Sequence, residues 1–243
     1  KMDTVCACFG IGLVPTGTTD PYALRRQVVG IIRIILDQEL SISLSALIDS
    51  GLTLLGTKIG GDLNKTRQDI LDFFRHRLEQ ILADRGFAKD LIAAVAASSI
   101  DHLPAVVKRA QALTTLKAKP DFDALATAFK RVVNIIRKAR EEGQIIPSDQ
   151  PLRIDPSLFQ DDCEKALYQT LHQVRDRALK DVEAGTYDDS LVAVSTLKPP
   201  IDAFFDGVMV LTEDERIKQN RLILLSEISD LFATFADFSK IST

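Results

Sequence analysis

Residues Pro120–Gly143, PDFDALATAFKRVVNIIRKAREEG, decide how this chain is read. Pro120-Asp121 marks a helix start and Gly143 a stop, with about twenty residues between them. At 100° per residue, Leu125, Phe129, Val132, Val133, Ile136 and Ala139 share one side of that helix. Lys130, Arg131, Asn134, Arg137 and Lys138 fall within a wedge of about 120° on the other. The apolar side belongs to a core. The polar side sets four cations and an amide in one row, able to grip phosphates or to read a base edge.

The same punctuation recurs on both sides of this stretch. Asp20-Pro21, a cap followed by proline at the first helical position, predicts a helix through about Asp37, with Leu24, Val28, Ile31, Ile32 and Ile35 inward. Residues 42–55 read as a second, more buried helix. Asn64 is expected to cap a third, running through Phe73, Phe74, Leu78, Ile81 and Leu82 to Gly86. A short helix at 88–97 and another from Pro104 follow. Asp155-Pro156 repeats the cap-plus-proline device and opens a long amphipathic helix ending at Gly185. Thr212-Glu-Asp-Glu215 fits a capping box for a last helix to about Phe238. The stretches 143–155 and 195–212 read as loops. Strand signals hardly appear, and neither an internal repeat nor a low-complexity tract is visible. The expected fold is all-α.

Composition agrees. Among 243 residues, 46% are apolar, Trp is absent, and Gly (12) and Pro (9) are few. No apolar run reaches the roughly 18 residues of a membrane span, and the first fifteen residues lack a signal-peptide layout. Cys6, Cys8 and Cys163 cannot all pair, and Cys6-Ala-Cys8 has the wrong spacing for a zinc knuckle, so buried thiols in the cytoplasm are expected. The opening Lys1-Met2-Asp3 reads as the cut end of a longer protein. The net charge of −4 argues against a general polyanion binder, but it hides segregation. Between His102 and Arg140, nine basic residues face only Asp121 and Asp123, a surplus of seven positive charges. Such segregation fits a protein offering one face to nucleic acid.

No catalytic set emerges. The loop Cys8–Arg26, CFGIGLVPTGTTDPYALRR, has the glycines of a phosphate cradle. It lacks the lysine of a Walker A loop and the βαβ setting of a dinucleotide fingerprint, so Gly10, Gly12 and Gly17 are read as turn-formers. His76, His102 and His172 are scattered without partners at metal-ligand spacing. Asp101-His102 reverses the order of a metal-binding His-Asp pair and is read as a helix cap. Catalytic residues and metal ligands are therefore expected to be absent. In the last helix, Arg221 projects into the apolar arc of Ile217, Leu224, Leu225, Ile228, Leu231, Phe232 and Phe235. It needs a carboxylate or carbonyl there, or a groove where it stacks on a ligand. Asn220, at the arc's edge, is the better candidate for an exposed polar contact.

Longer stretches carry a family resemblance. Ile201-Asp-Ala-Phe-Phe-Asp-Gly-Val-Met-Val-Leu-Thr-Glu-Asp-Glu215, continuing to Leu222, and Ala236–Lys240 resemble the C-terminal end of the beta subunit of bacterial heterotetrameric glycyl-tRNA synthetases. Pro15-Thr-Gly17, Asp20–Arg26, Ala83–Phe87 and Phe129–Ile135 resemble the same family in order along the chain. The resemblance implies a C-terminal fragment, with residues 1–105 the end of an HD-like helical region and its linking helices. Residues 106–243 would be an anticodon-binding bundle of the DALR type. It implies a non-catalytic part of a glycine-tRNA ligase, binding glycine tRNA and the alpha subunit of an α2β2 assembly, and neither membrane nor DNA. No cofactor is expected in this part; ATP and magnesium would be handled through the alpha subunit. The tRNA-binding candidates are Lys130, Arg131, Asn134, Arg137, Lys138 and Asn220, and binding should weaken when Arg131 and Arg137 are changed to Ala. The family commonly has arginine where this chain has Lys218, which keeps a charge but not a planar bidentate fork. Two other readings stand beside this one. The first is a helical scaffold that mainly docks the alpha subunit; the second is a fragment of an HD-superfamily phosphohydrolase whose metal dyad lies upstream.

Overall fold

The computed structural model describes residues 1–56, 62–144 and 153–242, and the chain divides into two compact units, Lys1–Ala110 and Gln111–Thr243. The regular structure among the described residues is helical; their only bridge is an isolated antiparallel one between Thr16 and Thr19, closing a turn at Gly17.

The first unit is built on α1 (Met2–Gly10), which packs against α2 (Leu24–Asp37), α3 (Leu44–Leu55) and α4 (Leu63–Asp84). Val5 and Cys6 have no exposed surface, and neither do Val28, Ile32, Ile48, Phe74 and Leu78. The sequence reading misses α1 for a physical reason. In this nine-residue helix the only polar residues, Asp3 and Thr4, are adjacent in the first turn, so no repeating polar stripe reveals its period. Gly10 accordingly lies in α1, not in a turn, whereas Gly12 (φ 78°) and Gly17 (φ 48°) do turn the chain. At Gly51 of α3 an added Cβ would lie 2.7 Å from the Cys6 sulfur, so close approach of α1 and α3 requires the glycine. Helix α5 (Lys89–Ser98) packs on α4, and Gly86 (φ 88°) ends α4 as expected.

Several caps are displaced from their expected residues. Asp20 does cap α2, accepting from the amides of Leu24 and Arg25, but the helix begins at Leu24, beyond Pro21-Tyr22. Helix α4 is capped by Asp62, not Asn64; the Asn64 and Lys65 amides donate to the Asp62 carboxylate. Asp101 is a cap, though of a helix far away in sequence. Its carboxylate accepts from the Ser45 amide (2.7 Å) and the Ser43 hydroxyl (3.1 Å) at the start of α3. The division between units falls within α6 (Leu103–Lys117).

The second unit holds α7 (Phe122–Glu141), α8 (Asp162–Glu183), α9 (Tyr187–Ser195), α10 (Lys198–Gly207), α11 (Glu215–Ala233) and a 3-10 turn at Phe238–Lys240. Helix α7 packs on α10, α11 and the final turn, and α8 packs on α9, α10 and α11. Phe129 of α7 stacks on Phe232 of α11, centroids 3.9 Å apart, and Phe238 meets Phe129 edge-on. Burial of these rings locks the two ends of the unit's sequence together. Asp155-Pro156 opens a 3-10 turn only; α8 starts later, at an Asp161/Glu164 capping box. Asp214, not Thr212, caps α11, which stops at Ala233. The expected loop 195–212 contains α10, with Pro199 and Pro200 in its first turn where their missing N–H costs no helical bond. Most of the expected loop 143–155 lies outside the described residues.

Candidate nucleic-acid interface

The period of α7 carries its apolar residues inward. Leu125, Phe129, Val132, Ile136 and Ala139 are buried, and Val133 is half-buried at the margin. The opposite face presents Arg131, Asn134, Arg137 and Lys138 to solvent, with Lys130 half-buried beside them. The structure thus brings five of the six nominated residues onto one face.

Their local partners differ. The Arg137 guanidinium donates to the Asn134 side-chain oxygen at 3.1 Å, which prearranges the fork. Lys138 lies 3.7 Å from Glu142 one turn on, an exposed pair of small energetic weight. Arg140, next on the helix, instead bonds Ser226 and Asp230 of α11 and serves packing. Arg131 is arranged differently from the rest. Its guanidinium carbon sits 4.0 Å from the centroid of the Phe205 ring, and among the described residues it has no carboxylate partner. A cation held over an aromatic face by the ring quadrupole keeps the side away from the ring available.

Phe205 opens the other wall of a groove. Arg131 and Ile135 of α7 face Phe205, Asp206, Met209 and Leu211 at and beyond the end of α10. Met209 is 74% exposed and Leu211 49%, large apolar side chains left in water beside a cationic face. Arg221 holds this wall in place. Its Nη1 donates to the Met209 carbonyl at 2.9 Å, while Nε and Nη2 donate to Glu164 at 2.8 and 3.2 Å. Glu164, fully buried, also accepts from the Gln160 and Asp161 amides. Burial by itself would raise the Glu164 carboxyl; the guanidinium and the two amides outweigh it and hold the group below its ordinary value. Of the two roles open to Arg221, the structure assigns the paired one.

Asn220 requires correction. It is 3% exposed, accepting from the Asp155 amide at 2.7 Å and donating to the Asp155 carbonyl at 3.0 Å. The residue fastens the chain entering α8 and is no exposed contact. Lys218 is likewise engaged, with Glu215. The sequence reading missed Phe205, Asp206, Met209 and Leu211 as site residues. The signal for them was the apolar run Val208–Leu211 in a segment read as loop, where an apolar run has no core to enter.

Among the described residues, no group of three His, Cys, Asp or Glu side chains could hold a metal ion. Neither is any described helix long and apolar enough to cross a membrane. His76 bonds the Asp72 carbonyl, and His172 lies between Tyr168 and Arg175.

Comparison with known proteins adds the family. A model described as glycyl-tRNA synthetase beta subunit matches residues 1–97, and one described as DALR anticodon binding domain matches residues 125–243. The glycine–tRNA ligase beta subunit of Desulfatibacillum aliphaticivorans is 47% identical over 242 residues, covering 100% of this chain and 34% of the relative. Those of Syntrophus aciditrophicus and Citrifermentans bemidjiense are 42% and 43% identical over the same shares. The chain spans about a third of the length of these relatives.

Proposed function

Because the chain belongs to the glycyl-tRNA synthetase beta-subunit family and carries a DALR anticodon-binding domain, we propose that residues 106–243 grip the anticodon stem-loop of glycine tRNA. The observation that carries this reading is the exposed cationic face of α7 inside the DALR match, flanked by an apolar groove. Arg137 and Lys138 neutralise phosphates, which positions the RNA without reading it. Residues 1–105 form the end of the HD-like region with its linking helices. Glycylation with ATP and magnesium is the work of the alpha subunit in an α2β2 assembly in the cytoplasm, and this part of the beta subunit presents the tRNA to it.

The test is a filter-binding titration of the complete synthetase with glycine tRNA at several salt concentrations. Each phosphate contact contributes a slope of about −0.7 to −0.9 in log K against log salt. Arg137→Ala with Lys138→Ala should therefore flatten the slope by about 1.5 and weaken binding at low salt. An unchanged slope and affinity would overturn the reading and favour the scaffold that docks the alpha subunit, with the cations merely solvated.

A further inference from the structure

We propose that the groove between α7 and residues 205–211 receives one unstacked nucleobase bearing an exocyclic amino group. The base stacks on the outer face of Arg131, and its amino group donates to Asp206. This rests on the RNA-binding reading above and adds the chemical class of what enters the groove.

The groove has the parts such a ligand requires. The Arg131 guanidinium carbon sits over the Phe205 ring, 4.0 Å from its centroid, so the cation is held in place before any ligand arrives. Unpaired loop bases of RNA are bound by stacking on aromatic rings or guanidinium planes, and Phe205 under Arg131 extends that platform. Ile135, Met209 and Leu211 supply apolar walls. Exposure of Met209 and Leu211 costs the free protein the burial they would gain against a base. The Met209 wall is also rigidly anchored, because its carbonyl is bonded to an arginine itself paired to a fully buried glutamate. A surface of this kind is preorganised, which lowers the ordering cost of binding. Charge complementarity selects the occupant: Arg137 and Lys138, farther along the same face, suit the phosphates flanking a base and are ill matched to an apolar protein helix.

Asp206 gives the chemistry its specificity. It stands in the last turn of α10, where the helix dipole disfavours an acid, and beside a cationic face that must attract a polyanion. Among the described residues no cation pairs with it. A carboxylate in the groove is a bare acceptor, which matches an exocyclic amine as Asp and Glu match the amino group of cytosine. Uracil offers no such donor.

The experiment uses the complete synthetase and glycine tRNA carrying 2-aminopurine at one anticodon-loop position at a time. At one position, binding to the unaltered protein should quench the probe. Arg131→Lys keeps the charge and loses the plane. It should leave the salt slope unchanged, abolish the quench and weaken binding about 10-fold, the size of one lost stacking contact. Asp206→Ala should also weaken binding, although removing a negative charge near a polyanion would by general electrostatics tighten it. The inference fails if Arg131→Lys binds and quenches like the parent, or if Asp206→Ala binds more tightly. Those results leave the RNA-binding reading standing, because that reading is judged by the slope of the Arg137→Ala, Lys138→Ala variant. Circular dichroism and elution volume matching the parent keep either result from being a folding defect.

Discussion

Replacing Arg221 with Met should destabilise the second unit far more than any surface change. Arg221 is 4% exposed and Glu164 0%, and three guanidinium hydrogen bonds join them and the Met209 carbonyl. Met fills most of the volume but leaves Glu164 buried with only the Gln160 and Asp161 amides to stabilise its charge. Removing one member of such a pair costs about 3–5 kcal/mol, because the remaining charge is uncompensated. For a unit of this size that lowers the midpoint of thermal unfolding by roughly 10–20 °C. The pH dependence has a definite sign. In the parent, Glu164 is held below its unfolded value, so its stabilising contribution is present above that value and lost as the pH falls through the depressed folded one. In Arg221→Met, burial dominates and raises the carboxyl, so the deficit should shrink as the pH is lowered toward 4. Glu164→Gln keeps an oxygen for the two amides, and Arg221→Met with Glu164→Gln should recover most of the loss. Differential scanning calorimetry at pH 7.5 and pH 4.5 reads all three variants. A loss below about 1 kcal/mol for Arg221→Met, or a double variant as unstable as the sum of the singles, would show that Arg221 and Glu164 do not stabilise the unit as a pair.

Asn220→Ala should cost about 1–3 kcal/mol by leaving the Asp155 amide and carbonyl unpaired, and it should not change the salt slope of tRNA binding. Denaturant titration and filter binding on the same variant separate the two effects. Burial pushes the Cys6 thiol up to about 11, with Asp3 adding to the shift. Burial and the nearby Asp161 raise Cys163 to about 11 as well. Cys163 is the half-buried one of the two; at pH 8 only about one in a thousand of its thiols is ionised, so alkylation of Cys163 by iodoacetamide, followed by mass spectrometry, should rise roughly tenfold per pH unit to pH 10. A rate plateau near pH 9 would contradict this.

The helical class was legible in the sequence because an amphipathic helix repeats its apolar residues every turn, and α2, α4, α7 and α11 each bury the stripe that their spacing marks. Helix termini were less legible. Asp62 and Asp214 sit two residues from the caps suggested by the sequence and Asp161 six, and the choice depends on which amides the tertiary path leaves without acceptors. Helix α1 was hidden because it is short and its only polar residues, Asp3 and Thr4, are adjacent at its start and show no period. Of the site, the cationic row on α7 could be read directly, since five residues on one helix share a face by period alone. The rest could not. Asn220 and Arg221 are neighbours in sequence, yet their partners are 65 and 57 residues away, so nothing local tells a buried polar anchor from an exposed contact. Arg131 meets Phe205 only because α7 packs on α10. Spacing along one chain segment determines which side chains share a face; which side chains meet across segments is determined by how the buried faces fit together.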